Sequence, residues 1–321
     1  MVGATPSVRM DMTETVNRSD VAETRSRRGF AMAIMIASSI GISFGGLVLR
    51  SMDDADAWQI NFYRSLALVL AIMSILMIQY RGKAAIHVRR VGKPGLLGGA
   101  LLAMANVAFL QSITNTTVAN TLFTLSAIPF ITATLAWLFL RERLHRETLI
   151  TMFVAAFGVG VMMGEGVSVG SFYGNAMAFL TALCFAGFAV IVRRNRQVNM
   201  LPTLVLSGIL IIALSLAVRW GDLAISSKDI LLCFLWGGVL SGVGNALFIV
   251  ASRHLVAAEL TLFMLLEFAL GPIWVWLFIN EVPTKWTLIG GLLVITSVTL
   301  RALLEMRRSA PMLKRGRPSP M

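Results

Sequence analysis

Arg64, Glu259 and Glu267 sit well inside long apolar runs of the sequence, where a charge costs roughly 2.5 to 3.5 kcal/mol at the centre of a membrane helix. Each must therefore face a cavity or a partner. Glu267 lies deepest, about 12 residues, or about 18 Å, from the end of its run that the charge pattern places outside the cell; Arg64 lies about seven residues, or about 10 Å, from the same side. Two extended side chains bridge the difference of about 8 Å. Arg64 and Glu267 therefore either form a structural ion pair that fixes packing, or divide a task in which Arg64 binds an anionic group and Glu267 holds an exchangeable proton or cation. Asn61 stands three residues before Arg64, on about the same helical face, with Tyr63 between them. That polar stripe suits either a cavity wall or the headgroup region.

Four further residues are matched in pairs. Asn106 and Asn245 are amides at membrane depth, which hydrogen-bond across helices or face a polar ligand. Glu142 and Glu281 each follow an apolar run and precede the next, where a carboxylate stabilises the unsatisfied amides of a helix start. Their expected role is structural. Glu259, close to Arg253 and His254 near the inner face, is expected to reach headgroup water or pair with Arg253, a structural role. Cys184 and Cys233 lie inside apolar runs and the three histidines near run ends, without ligand spacing, so no metal site, catalytic residue or cofactor is expected.

The elements that position these residues follow from composition. The chain has 321 residues, 57% hydrophobic and 14% charged, with a mean hydropathy of +0.78, far from a soluble domain. At roughly 20 residues per crossing, the apolar runs give spans at 30–49, 57–79, 95–113, 117–140, 148–164, 174–192, 201–219, 229–251, 256–279 and 286–304. The break at Pro129 makes 117–140 the least regular of them. The net charge of +12 reports topology, not nucleic acid. With both ends inside, 23 of 28 basic residues fall on inner loops and tails, and Arg50, Arg219, Lys228 and Lys285 fall outside. A multi-pass protein of the inner (plasma) membrane with cytoplasmic termini is expected, its basic segments against anionic lipid.

Sliding the sequence on itself by 139 positions aligns 96–163 with 235–302 without a gap, matching Gly98 to Gly237, Asn106 to Asn245, Trp137 to Trp276 and Glu142 to Glu281. Five spans per half is an odd number, so the second half enters from the opposite side. The expected fold is all-α and polytopic: ten transmembrane helices as two inverted five-helix repeats, 29–164 and 171–304, between basic cytoplasmic tails at 1–28 and 305–321. Gly-x-x-x-Gly spacings such as Gly41/Gly45 and Gly238/Gly242 serve packing within the bundle and, less directly, a homodimer.

The segments LAWLFLRERLHRETLITMFVAAFGVGVMM and LLEFALGPIWVWLFINEVPTKWTLIGGLLVI carry the repeated Trp-Leu-Phe and following Glu. They resemble the paired EamA domains of the drug/metabolite transporter superfamily over roughly 30–304. The resemblance implies an inverted-repeat carrier, often an exporter, with a central cavity between the halves and no nucleotide hydrolysis.

The expected function is a secondary transporter exporting small metabolites such as amino acids by alternating access, with proton coupling through Glu267 and solute contacts from Asn61, Tyr63, Arg64, Asn106 and Asn245. An uncoupled facilitator or a membrane receptor for a small solute is the alternative. No phosphate-binding Gly-x-x-x-x-Gly-Lys-Ser/Thr segment is present, which excludes a nucleotide-driven pump. An intramembrane enzyme would need acids or histidines clustered at one face, and Glu142, His145, Glu147, His254 and Glu259 are scattered among loops. The partners are thus a small molecule and the lipid bilayer.

Overall fold

The computed structural model describes residues 27–53, 55–80, 91–116, 121, 124–142, 146–163, 172–279 and 285–309. Most of both tails, and Glu281, lie outside the described residues. All regular structure among the described residues is helical. In chain order the helices are α1 (Arg27–Arg50), α2 (Ala57–Tyr80), α3 (Gly92–Asn115), α4 (Ile128–Leu140), α5 (Arg146–Met163), α6 (Phe172–Arg194), α7 (Pro202–Arg219), α8 (Ser227–Ala251), α9 (Ala257–Ile279) and α10 (Lys285–Ser309). Seven of them are long and apolar enough to cross a membrane; α4 and the stretch Leu288–Leu300 of α10 are shorter apolar segments.

The fourth run departs from the expectation of one continuous span at 117–140. Residues 121 and 124–125 are helical, a turn at Ser126 and Ala127 follows, and α4 runs on from Ile128 with Pro129 in its first turn. Proline lacks the N–H and the steric freedom that a helix interior requires but fits the first turn, where no intrahelical partner is needed.

The packing repeats across the two halves. Helix α3 packs on α6 and α7, while its mate α8 packs on α1 and α2; α4 lies against α6, and its mate α9 against α1. Helices α2 with α7, α4 with α9, and α5 with α10 meet their own counterparts. This is the contact pattern of two halves related by a two-fold axis. The main core runs through the middle of the bundle, where Phe185, Phe188 and Phe248 form an aromatic cluster with Met32, Met35 and Phe263 nearby.

The outside is apolar. Phe157 is 67% exposed and Leu292 66% exposed, with many leucines, isoleucines and valines alongside, as a lipid-facing surface requires. The repeated Trp137-Leu138-Phe139 and Trp276-Leu277-Phe278 belong to that surface and are all well exposed. The most visible repeated motif thus serves the membrane and not the interior.

Ion pairs gather at the two ends. At the end expected outside the cell, Lys228 donates to Asp53 (2.8 Å), Arg219 pairs with Asp56, and the Asp53 amide donates to Asp229 (3.2 Å). At the other end Arg28 meets Glu259 (2.6 Å) and Arg193 meets Glu142 (2.8 Å). Glu259 is thus tied to Arg28 on α1. Glu142 also accepts from the Ala257 amide (3.3 Å), so among the described residues it satisfies the first turn of α9, while Arg193 donates to the Ser252 carbonyl (2.9 Å). Glu142→Ala removes a half-buried ion pair and a helix cap together, and about 2 kcal/mol of stability is expected to go with them. A fall in the apparent melting temperature of the purified protein, reproduced by Arg193→Ala, checks this.

Candidate functional site

The site forms where α2, α3 and α8 meet. Arg64 on α2 is buried, only 6% exposed. One of its terminal nitrogens donates to the Asn106 side-chain oxygen on α3, and its Cζ lies 4.6 Å from the ring centroid of Trp236 on α8, within cation–π range. Asn106 is held in turn: its amide nitrogen donates to the Leu102 carbonyl, one turn back, at 2.8 Å. That bond leaves the carboxamide oxygen for the guanidinium. Among the described residues nothing else accepts a hydrogen bond from Arg64, so most of its five donors stay free for a ligand.

Asn245, the repeat mate of Asn106, makes the same local bond, from its amide nitrogen to the Ser241 carbonyl at 2.8 Å. The arginine is not repeated. Gly237 presses on the backbone of Arg64, and its mate Gly98 presses on Thr203, so Thr203 stands where the second half would hold an arginine. One half of a symmetric frame thus carries a charged site and the other a hydroxyl.

Asn61, one turn before Arg64, is fully buried, and neither atom of its amide finds a hydrogen-bond partner among the described residues. A buried amide left unmatched costs about 1 to 3 kcal/mol, which a polar ligand would recover. Tyr63 is placed differently: its hydroxyl donates to the Leu223 carbonyl (3.1 Å) in the α7–α8 connection, which orients the ring toward the expected outer surface.

Glu267 on α9 is half-buried and makes no hydrogen bond or salt bridge among the described residues. It lies on the face of α9 that meets α1, between Phe263, whose carbonyl accepts from Ser39 (2.9 Å), and Trp274, whose indole N–H donates to Ser43 (2.7 Å). Helix α1 links it to Arg64: Ser39 and Ser43 of α1 meet this face of α9, and Gly45 of α1 lies against Trp236. The direct Arg64–Glu267 pair that the depth argument allowed is not formed; Asn106 and Trp236 hold the guanidinium instead.

A cleft of about 460 Å³ at the expected outer end is lined by Leu49, Asp56, Trp58, Ile60, Leu110 and Gln111. Ile60 precedes Arg64 by one turn and Leu110 follows Asn106 by one turn, and both are buried. These two side chains form the floor between the cleft and the Arg64–Asn106 pair. A larger cleft, about 680 Å³, lies between α4 and α5 against Phe130 and Phe157; its lining holds no charged residue, and it opens on the lipid-facing side.

Trp236 is a residue of the site that neither charge nor the repeat points to, since its repeat mate is Leu97. The signal that locates it is the glycine pair around it. A Cβ at Gly45 would come within 2.8 Å of the indole nitrogen, and one at Gly237 would collide with the Arg64 carbonyl oxygen. Gly237→Ala must push α2 and α8 apart at the site, and a loss of about 1 to 3 kcal/mol is expected for such overpacking. Its mate Gly98→Ala meets nothing nearer than a Thr203 methyl at 3.2 Å and is expected to cost less. Melting temperatures of the two variants side by side give the comparison.

Comparison with known proteins agrees with this architecture. A model of the EamA-like transporter family matches residues 29–164 and again 172–302. Among curated relatives, the pseudopaline exporter CntI of Pseudomonas aeruginosa, found in two strains, is 24% identical over 279 residues, covering 84% of this chain and 94% of that protein. A protein of known crystal structure shares the fold with a TM-score of 0.71 at 15% identity, over 87% of this chain and 98% of its own. Two matches of one family model in tandem, on an all-helical bundle with an apolar exterior, establish that the chain belongs to the EamA-like transporter family.

Proposed function

We propose that this protein is a secondary carrier that exports a small solute bearing both an anionic and a cationic group, by alternating access and with coupling to protons. One observation carries the reading. Arg64 and Glu267, two ionisable side chains deep in spanning helices, stand on either side of α1, whose Ser39 and Ser43 meet the Glu267 face of α9 and whose Gly45 lies against the Trp236 that covers Arg64, and they form no salt bridge. Each has left water at a cost of several kcal/mol, and no ion pair between them offsets it. A solute with a carboxylate for Arg64 and an ammonium for Glu267 would satisfy both, as amino acids and related metabolites do. The unmatched amide of Asn61 supports the same assignment for the anionic end.

Export as the working direction takes its support from the relative named a pseudopaline exporter. A bacterial inner membrane with both termini in the cytoplasm rests on the distribution of basic residues. In this reading the cleft over Ile60 and Leu110 is the outer vestibule. The ion pairs Arg28–Glu259 and Arg193–Glu142 hold the cytoplasmic end together and must separate when the site opens inward.

The test is counterflow in proteoliposomes, with the 20 proteinogenic L-amino acids presented in turn and internal pH followed by a trapped dye. Amino-acid flux accompanied by proton movement is expected. Flux with no proton movement would make the protein a facilitator and remove the coupling role of Glu267.

A further inference from the structure

We infer that Trp236 is a positioning residue for Arg64, which covers one face of the guanidinium so that its free edge is presented to the solute. Three features of the chain serve that one placement. First, the middle of α8, Leu235–Val243, is wound as a π-helix, a rare form that concentrates at functional sites. Its repeat mate, residues 96–104 of α3, is ordinary α-helix, although the two halves align here without an insertion. Second, burial differs sharply between the halves at this one position. Leu97, the mate of Trp236, is 55% exposed on the bundle surface, while Trp236 is 5% exposed and lies over Arg64. Third, Gly45 clears room for the indole and Gly237 lets the Arg64 backbone approach. The second half therefore turns inward, as an indole, a position that the first half gives to lipid as a leucine.

The consequence for Arg64 is geometric. A guanidinium can be met in its plane by hydrogen-bond acceptors and on its faces by π systems. Asn106 takes part of the edge and Trp236 a face, so an anion meets the part of the edge they leave. Without the indole the long arginine side chain regains rotamers that point elsewhere, and binding pays that ordering entropy again. Loss of a desolvated cation–π contact of about 2 kcal/mol amounts to a decrease in affinity of somewhat more than tenfold.

The role in transport rests on the carrier reading proposed above, whereas the placement does not, and two experiments separate them. The first uses no solute. Phenylglyoxal, a small dicarbonyl that adds to guanidinium groups, is applied to the purified full-length protein in nanodiscs, and modification of Arg64 is read by peptide mass spectrometry. Trp236→Leu, which restores the residue of the other half, is expected to raise the modification rate about fivefold or more, and Trp236→Phe, which keeps an aromatic face, to leave it near wild type. Equal rates in Trp236→Leu and wild type would overturn the proposal. The second is counterflow of the transported amino acid. Trp236→Leu should raise KM about tenfold with Vmax within about twofold, and Trp236→Phe should retain most of the wild-type KM. If Phe fails as Leu does, the indole acts through packing against Gly45 and the inference falls. If wild type moves none of the 20 amino acids, the carrier reading fails and the transport role with it, while the phenylglyoxal result still decides the placement.

Discussion

Arg64→Gln is expected to reduce solute transport by at least about 100-fold while leaving the protein no less stable than wild type. The two halves of that result have different causes. Charge-assisted hydrogen bonds to a carboxylate contribute about 1.5 to 3 kcal/mol each, and the planar guanidinium offers two in parallel; 100-fold corresponds to about 2.7 kcal/mol. Glutamine keeps one NH2 group and no charge. For stability the sign is opposite, because a buried cation without a carboxylate in contact is a burden on the fold, and a shorter neutral side chain relieves it. The bond from the guanidinium to Asn106 is lost with the charge. Arg64→Lys separates charge from shape: a point charge without the fork is expected to recover some transport but not the wild-type KM. The measurement is initial rate of counterflow against solute concentration, paired with the melting temperature of each variant. Transport and stability lost together would make Arg64 a packing residue held by Asn106 and Trp236, and the anion site would have to lie elsewhere.

Much of this site was legible before any coordinates. Depth within an apolar run is enough to single out Arg64 and Glu267, because membranes tolerate so few charges that each one needs a reason. Matching the halves in register brought out Asn106 and Asn245, and both make the same bond to a carbonyl one turn back. What stayed hidden depended on geometry that periodicity does not encode. The helical pattern treats residue 236 like residue 97, a position facing lipid, and the room that Gly45 leaves for the indole is a tertiary contact that no periodicity encodes. Glu142 is visible as a helix-capping carboxylate, but a sequence gives no way to see that the helix it caps is α9, more than a hundred residues on. The Arg64–Glu267 pair was allowed by depth alone. Rotation about the helix axes and the competing claim of Asn106 decide that it is not made, and both are tertiary facts. The repeated Trp-Leu-Phe motif shows the reverse case, conspicuous in the sequence and remote from the site.

Glu267→Gln should abolish proton-driven accumulation of solute while exchange of solute for solute continues. Glutamine has nearly the shape of glutamate and keeps a hydrogen-bonding carbonyl, but it cannot take up or release a proton near neutral pH. A coupling carboxylate links the two fluxes because its charge differs between loaded and empty states of the carrier; fixing it as neutral breaks that link. Exchange needs only that the loaded carrier reorient, a step the amide permits. The pH dependence of net transport in the wild type should therefore flatten in the variant, with protein level in the membrane unchanged. Glu267 is suited to the task by its position on α9 facing α1, half-buried and without a hydrogen-bond partner among the described residues. A carboxylate locked in a salt bridge would hold its charge through the cycle. This one makes no salt bridge among the described residues, so it is open to a proton in the empty carrier and to the ammonium of the solute in the loaded one. Solute and proton then compete for the same carboxylate, which is coupling of the sign that a proton exchanger uses for export. Proteoliposomes with an imposed pH gradient, assayed for accumulation and for counterflow in parallel, distinguish the cases. Unchanged accumulation across the pH range in Glu267→Gln would remove the carboxylate from the coupling mechanism and leave it a packing role at the α1–α9 contact.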